Sequence, residues 1–134
     1  LGAVFALFLL GATTTKDFAD VEGDRATGSL TLPVRYGAQQ AALVIAPFFV
    51  LPWWLLPLGT QVPRPGAGAG PVLSAAWPAM LILAVGLTAA GAWVAHALLR
   101  DPDSLSAIEN HPAWTGMYAL ALAAHLGLVL AYAL

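Results

Sequence analysis

Three stretches of this chain run close to the width of a bilayer without a formal charge, and they limit what it can fold into. Residues 38–58, 73–99 and 113–134 contain no Asp, Glu, Lys or Arg. A membrane-crossing helix needs about 20 mostly apolar residues and satisfies its own backbone groups in lipid. The expected fold class is therefore all-α, a transmembrane helix bundle, and the expected location is integral to a membrane, with several passes. Composition points the same way. Of 134 residues, 60% are hydrophobic and 9% charged, too little polar surface for a small soluble domain. The net charge of −2 argues against a nucleic-acid partner. The absence of cysteine excludes a disulfide framework, a thiolate zinc site and a cysteine nucleophile within this sequence.

Against this apolar background, Lys16–Arg25 holds four of the seven carboxylates and two of the five basic residues. Asp17, Asp20 and Asp24 stand at i, i+3 and i+7. On one continuous helix that spacing gathers all three within about a sixth of a turn, while Glu22 points away. Carboxylates so gathered repel unless a cation lies among them. An all-oxygen ligand set suits a hard ion such as Mg2+, which keeps several waters and shares its remaining positions with substrate phosphates. By itself the triad is equally compatible with a solvated acidic loop.

The surrounding residues add more. Lys16-Asp17, Asp20, Gly23-Asp24-Arg25, Gly28, Thr31-Leu32-Pro33 and Gly37 form a fixed pattern over about twenty residues. This pattern resembles the second aspartate-rich motif of the UbiA-type intramembrane prenyltransferases. The resemblance implies that the chain is the C-terminal part of a nine-helix transmembrane fold, with this motif in the loop between the sixth and seventh helices. It further implies Mg2+ as cofactor, a polyprenyl diphosphate donor, and an aromatic or lipid-precursor acceptor in isoprenoid lipid or quinone biosynthesis. Asp17, Asp20 and Asp24 would then be the catalytic metal ligands, with Lys16 and Arg25 offsetting diphosphate charge. The Lys16-Asp17 form, with Glu22-Gly23-Asp24, leans towards members acting on homogentisate, chlorophyllide-type or geranylgeranylglyceryl phosphate acceptors rather than hydroxybenzoate. The family also has an earlier aspartate-rich motif, between its second and third helices. Nothing in residues 1–134 supplies it, and Asp101-Pro102-Asp103 has the wrong place and spacing. The chain is therefore expected to be inactive without the missing N-terminal helices of the same protein.

In chain order, residues 1–12 read as the end of a truncated helix, too short to cross a bilayer. Residues 13–37 read as the aspartate-rich loop. Thr13, Thr14 and Thr15 are expected either to cap a short helix or, for at least two of them, to bond back to their own helix. In residues 38–58, Pro47, Pro52 and Pro57 should kink the helix. Trp53 and Trp54 are expected at the membrane interface, or else in a surface turn after Pro52. The following loop, with Arg64, Pro63, Pro65 and Gly66, Gly68 and Gly70, reads as a flexible connector. Trp77 and Pro78 suit the first turn of the span over 73–99, Trp93 nears the other interface, and His96 reads as a headgroup-level histidine. Asp101 and Asp103 suit a turn and a helix cap, while Glu109, Asn110 and His111 lie either at the site mouth or in a solvated loop. In the last span, Ala119, Ala123, Gly127 and Ala131 form a small-residue row. His125 is expected to bond a neighbouring helix, with Tyr118 and Tyr132 at opposite interfaces.

Lys16, Arg25, Arg35 and Arg100 fall on one side of the inferred topology and Arg64 on the other, which places the aspartate segment on the cytoplasmic side. The membrane lipid is then a direct partner of the spans. Two other functions fit parts of the pattern. One is a non-catalytic membrane subunit or transporter fragment whose acidic loop binds a cation. The other is an enzyme transferring a CDP-linked phosphatidyl group, for which the Asp-Gly-x-x-Ala-Arg segment is missing.

Overall fold

A computed structural model describes residues 1–66, 70–108 and 110–133. Glu109, Gly68 and Leu134, all drawn into the expectations above, lie outside the described residues. Among those described, the regular structure is helical, and one isolated bridge pairs Pro63 with Pro71. The chain is thus all-α, and three of its segments are long and apolar enough to cross a membrane: Ala38–Gly59, Trp77–Arg100 and Pro112–Ala133.

The first helix, α1 (Gly2–Ala19), continues well past the expected membrane exit. Thr13 and Thr14 donate to the carbonyls of Leu9 and Leu10, and Thr15 to that of Ala12, each at 2.7 Å. Their hydroxyls are held by their own helix and none acts as a cap. The expected loop over 13–37 is corrected accordingly. Helix α1 runs to Ala19, and two short helices follow, α2 (Val21–Thr27) and α3 (Leu32–Tyr36).

Prolines divide the first span into α4 (Ala38–Ile45), α5 (Pro47–Val50), a 3-10 turn (Pro52–Trp54) and α6 (Leu55–Gly59). Each proline lacks an N–H and interrupts the ladder. Trp53 compensates, its indole Nε1 donating to the Phe49 carbonyl at 2.8 Å. The ring is fully buried, against Phe5 and Phe8 of α1, so Trp53 is a core residue and not an interface anchor. Trp54 stays partly exposed.

The connector after α6 is pinned at its base. Val72 N–H donates to the Val62 carbonyl and Leu73 N–H to that of Gly59, at 2.9 and 2.8 Å. Leu73 lies over Gly59, where a Cβ would collide with it. The two remaining spans are α7 (Trp77–Arg100) and α8 (Pro112–Ala133), which share the most extensive helix contact in the chain. Gly116 lies under the Trp93 ring and Gly127 under Leu83. The expected small-residue row is split as a result: Ala131 is buried and Gly127 half-buried, while Ala119 and Ala123 are exposed. His125 Nδ1 pairs with the Ala121 carbonyl of its own helix at 2.7 Å, and its ring lies on Phe5 at 4.5 Å, so the expected bond to another helix is also corrected. A carbonyl can only accept, so Nδ1 is the protonated nitrogen.

Gly91 sets how α7 meets the broken span. A Cβ there would collide with the Phe49 carbonyl, so the two backbones touch where a side chain would hold them apart. A Gly91→Ala variant is expected to lose at least about 1–3 kcal/mol by overpacking. Gly86→Ala on the same helix, with nothing near the new methyl, serves as the control. Equal melting temperatures for the two variants in detergent would contradict this packing.

Candidate functional site

Helix α1 breaks at Asp20 (φ −122°, ψ 30°), and this break decides the geometry of the acidic segment. Asp17 lies in the last turn of α1, Asp20 at the break and Asp24 in α2. The single helical face expected from the spacing therefore does not exist. Among the described residues, no three carboxylate or imidazole side chains converge closely enough to hold a metal ion.

Local chemistry fixes the new arrangement. The Asp20 carboxylate lies over Gly23, where any Cβ would collide with it. Asp24 N–H donates to the Asp20 carbonyl at 2.8 Å, so the break residue starts the backbone ladder of α2. Gly28 ends α2 with φ 77°, a left-handed conformation that favours glycine. Its N–H reaches the Arg25 carbonyl and Ser29 N–H reaches that of Asp24, the paired bonds of a Schellman cap. Thr31 Oγ1 donates to Asp24 Oδ2 at 3.0 Å and ties the start of α3 to α2. Gly28, Thr31 and Asp24 thus have structural work in the segment.

The segment forms one wall of a cavity of about 780 Å³. Phe18, Val21, Pro33 and Ala38 give it apolar surface, and Asp20, Glu22 and Arg25 line it from the acidic side. The opposite wall is the 3-10 turn Pro102–Ser106 that follows α7, with Asp103 and Ser106. Buried Pro102 and Leu105 anchor that turn, and the Asp101 carbonyl accepts from Ser104 Oγ at 2.7 Å. Asp101 therefore serves the turn through its backbone.

Of the five candidate site residues, Asp20 and Arg25 line this cavity, together with Gly23, Pro33 and Gly37 of the surrounding pattern. Glu22, expected to point away, lines it too, because the break at Asp20 resets the phase of α2. Asp17 and Asp24 are not among its lining residues. The Asp17 carboxyl is pushed above the usual carboxylate range, chiefly by burial and secondarily by the Asp24 charge. Lys16 opens instead into a smaller recess shared with Trp114 and Tyr118. Sequence reasoning missed Glu22 and Ser106. The available signal for Glu22 was Asp20 itself, a residue type that favours helix starts and so permits a second helix with a new phase.

His111 is turned into the fold and away from the site mouth. It is 4% exposed, and its Nδ1 accepts the Ala113 backbone N–H at 3.1 Å, capping α8. Only imidazole unprotonated at Nδ1 can accept that bond. Burial lowers its pKa, and the Asp101 charge opposes that shift.

Set against known family models, curated proteins and solved structures, the chain has no match in any of the three.

Two pH dependences follow, with opposite signs. The folded-state pKa of Asp17 is raised, so wild-type stability falls as pH rises through the window above the ordinary aspartate value. Asp17→Asn should melt higher than wild type near pH 7, with the gap closing near pH 3; a constant gap would count against this. The folded-state pKa of His111 is lowered, so its contribution is present above the ordinary histidine value and lost as pH falls below it. Between about pH 7.5 and pH 5, wild type should lose more thermal stability than His111→Asn, which keeps a capping oxygen at every pH.

Proposed function

We propose that this chain carries the diphosphate-binding part of an Mg2+-dependent intramembrane prenyltransferase, moving a polyprenyl group from an allylic diphosphate to an aromatic or lipid-precursor acceptor. The observation that carries the reading is the cavity beside the acidic segment, with charged side chains and apolar surface together at one end of the spans. An amphiphile with a charged head and a hydrocarbon tail requires that combination. The C-terminal position in a nine-helix fold, the cytoplasmic orientation and the need for N-terminal helices belong to the same proposal.

The residues divide the work by chemistry. Arg25 faces the diphosphate and offsets its charge. Phe18, Val21 and Pro33 exclude water from the reacting carbon, protecting an allylic cation from hydrolysis. Asp17 and Asp24 lie outside the cavity lining, and they would bear on a divalent ion there only through water, which with phosphate would complete its shell. Asp20, at the break between them, offers a further carboxylate directly or through water. When bound, such an ion would supply positive charge to the departing diphosphate. The chain's own carboxylates set where that charge sits.

The test uses the full-length protein. Asp20→Ala and Asp24→Asn should each lower prenyl transfer from geranylgeranyl diphosphate by roughly 100- to 1,000-fold, the scale for removing one electrostatic stabiliser. Asp24→Asn retains an acceptor for Thr31, so its folding should hold. Wild-type turnover in both folded variants would remove these aspartates from the catalytic machinery, and absence of prenyl transfer by the folded wild-type protein would remove the enzymatic reading and leave a cation-binding membrane subunit.

A further inference from the structure

Three glycines punctuate the acidic segment, Gly23, Gly28 and Gly37, and they are glycine for different reasons. Gly28 and Gly37 have φ of 77° and 81°, a region that side chains rarely tolerate. Gly23 has no such need. It lies inside α2 and is not among the described glycines with positive φ, so alanine could take its backbone conformation. Alanine would also favour the helix, since glycine is a poor helix former in an interior position. A glycine that the backbone does not require needs a reason in space.

That reason is Asp20. Outside the backbone of α2 itself, the three atoms nearest to a Cβ at Gly23 all belong to the Asp20 carboxylate: its carbon and both oxygens. Asp20 stands at the head of α2, yet its side chain makes no capping bond there, so the helix start does not hold the carboxylate in place. Both residues line the cavity. We propose that Gly23 is a positioning residue for Asp20: because it has no side chain, the carboxylate can lie against α2 at the cavity wall, and this fixes where that charge stands. The proposal rests on the prenyl-transfer reading for what the charge does, and not for the contact itself. A side chain occupies staggered wells at χ1, about 120° apart. A methyl group at position 23 therefore sends the carboxylate to another well, out of contact with α2, rather than shifting it slightly. Misplacing a group at a reacting centre by about 1 Å can cost about 100-fold in rate.

A double-mutant cycle in the full-length protein tests this, with Gly23→Ala and Asp20→Ser as its two changes. Serine removes the carboxylate and keeps a residue type that favours helix starts. Prenyl transfer from geranylgeranyl diphosphate and the melting temperature in detergent are read on all four proteins. Gly23→Ala alone should lower transfer about 100-fold. In the Asp20→Ser background it should leave transfer unchanged. There it should also raise the melting temperature, since alanine is the better helix former. In the presence of Asp20 it should raise it less, because the carboxylate has to move. The proposal is overturned if Gly23→Ala transfers like wild type, or if it lowers transfer equally with and without the Asp20 carboxylate. An equal change in melting temperature in the two backgrounds would also overturn it. A folded wild-type protein without prenyl transfer would remove the reading above, and the melting-temperature cycle would still decide whether Gly23 makes room for Asp20.

Discussion

The Phe49 carbonyl is where the fold is most tightly constrained. Prolines on either side interrupt the helix ladder, and the Trp53 indole donates to this oxygen from within the core. Gly91 of α7 passes against the same oxygen, closer than any side chain would permit. A backbone carbonyl at membrane depth needs a donor, and a broken helix needs a neighbour that fits the break. Both needs are met at one point, which joins the first span to the second. Phe5 and Phe8 of α1 close around Trp53 from the other side.

A second discontinuity, at Asp20, shapes the functional end in the same way. An unbroken helix would carry the acidic segment away from the bundle on one straight axis. The break redirects α2, turns Glu22 and Arg25 towards the turn after α7, and brings Asp24 to Thr31. The cavity therefore lies between two segments far apart in sequence. The end of α1 also divides the basic residues, with Arg25 facing the cavity and Lys16 the recess beside α8. Two cations nine residues apart thus face different surroundings, one a charged cavity and the other a recess beside Trp114 and Tyr118.

Much of the architecture was legible because it depends on local properties. Uncharged length marks the spans, and the two prolines at 47 and 52 mark breaks whatever the rest of the fold does. The back-bonding threonines belong to the same class, since each needs only its own preceding turn. The expected loop over 13–37 holds more helix than loop because α1 runs on to the break at Asp20 and α2 and α3 follow it, an extent that depends on where that break falls. Trp53 was misplaced because tryptophan suits an interface and a core equally well, and only the neighbouring Phe5 and Phe8 decide between them. His111 carried a weaker signal, a polar residue directly before a proline that opens a helix, and its role as a cap depends on burial.

Helical character, three segments of bilayer length, and an acidic cluster with most of the basic residues near it could all be read from residue order alone. Hydrophobic length and charge are properties of a segment alone, so they can be read without neighbours. Which carboxylates share the cavity, which cation faces it and which aromatic rings are buried became known once the helices were packed. Those outcomes depend on a helix phase reset at Asp20 and on a backbone contact at Gly91, and both are relations between segments that no single stretch contains.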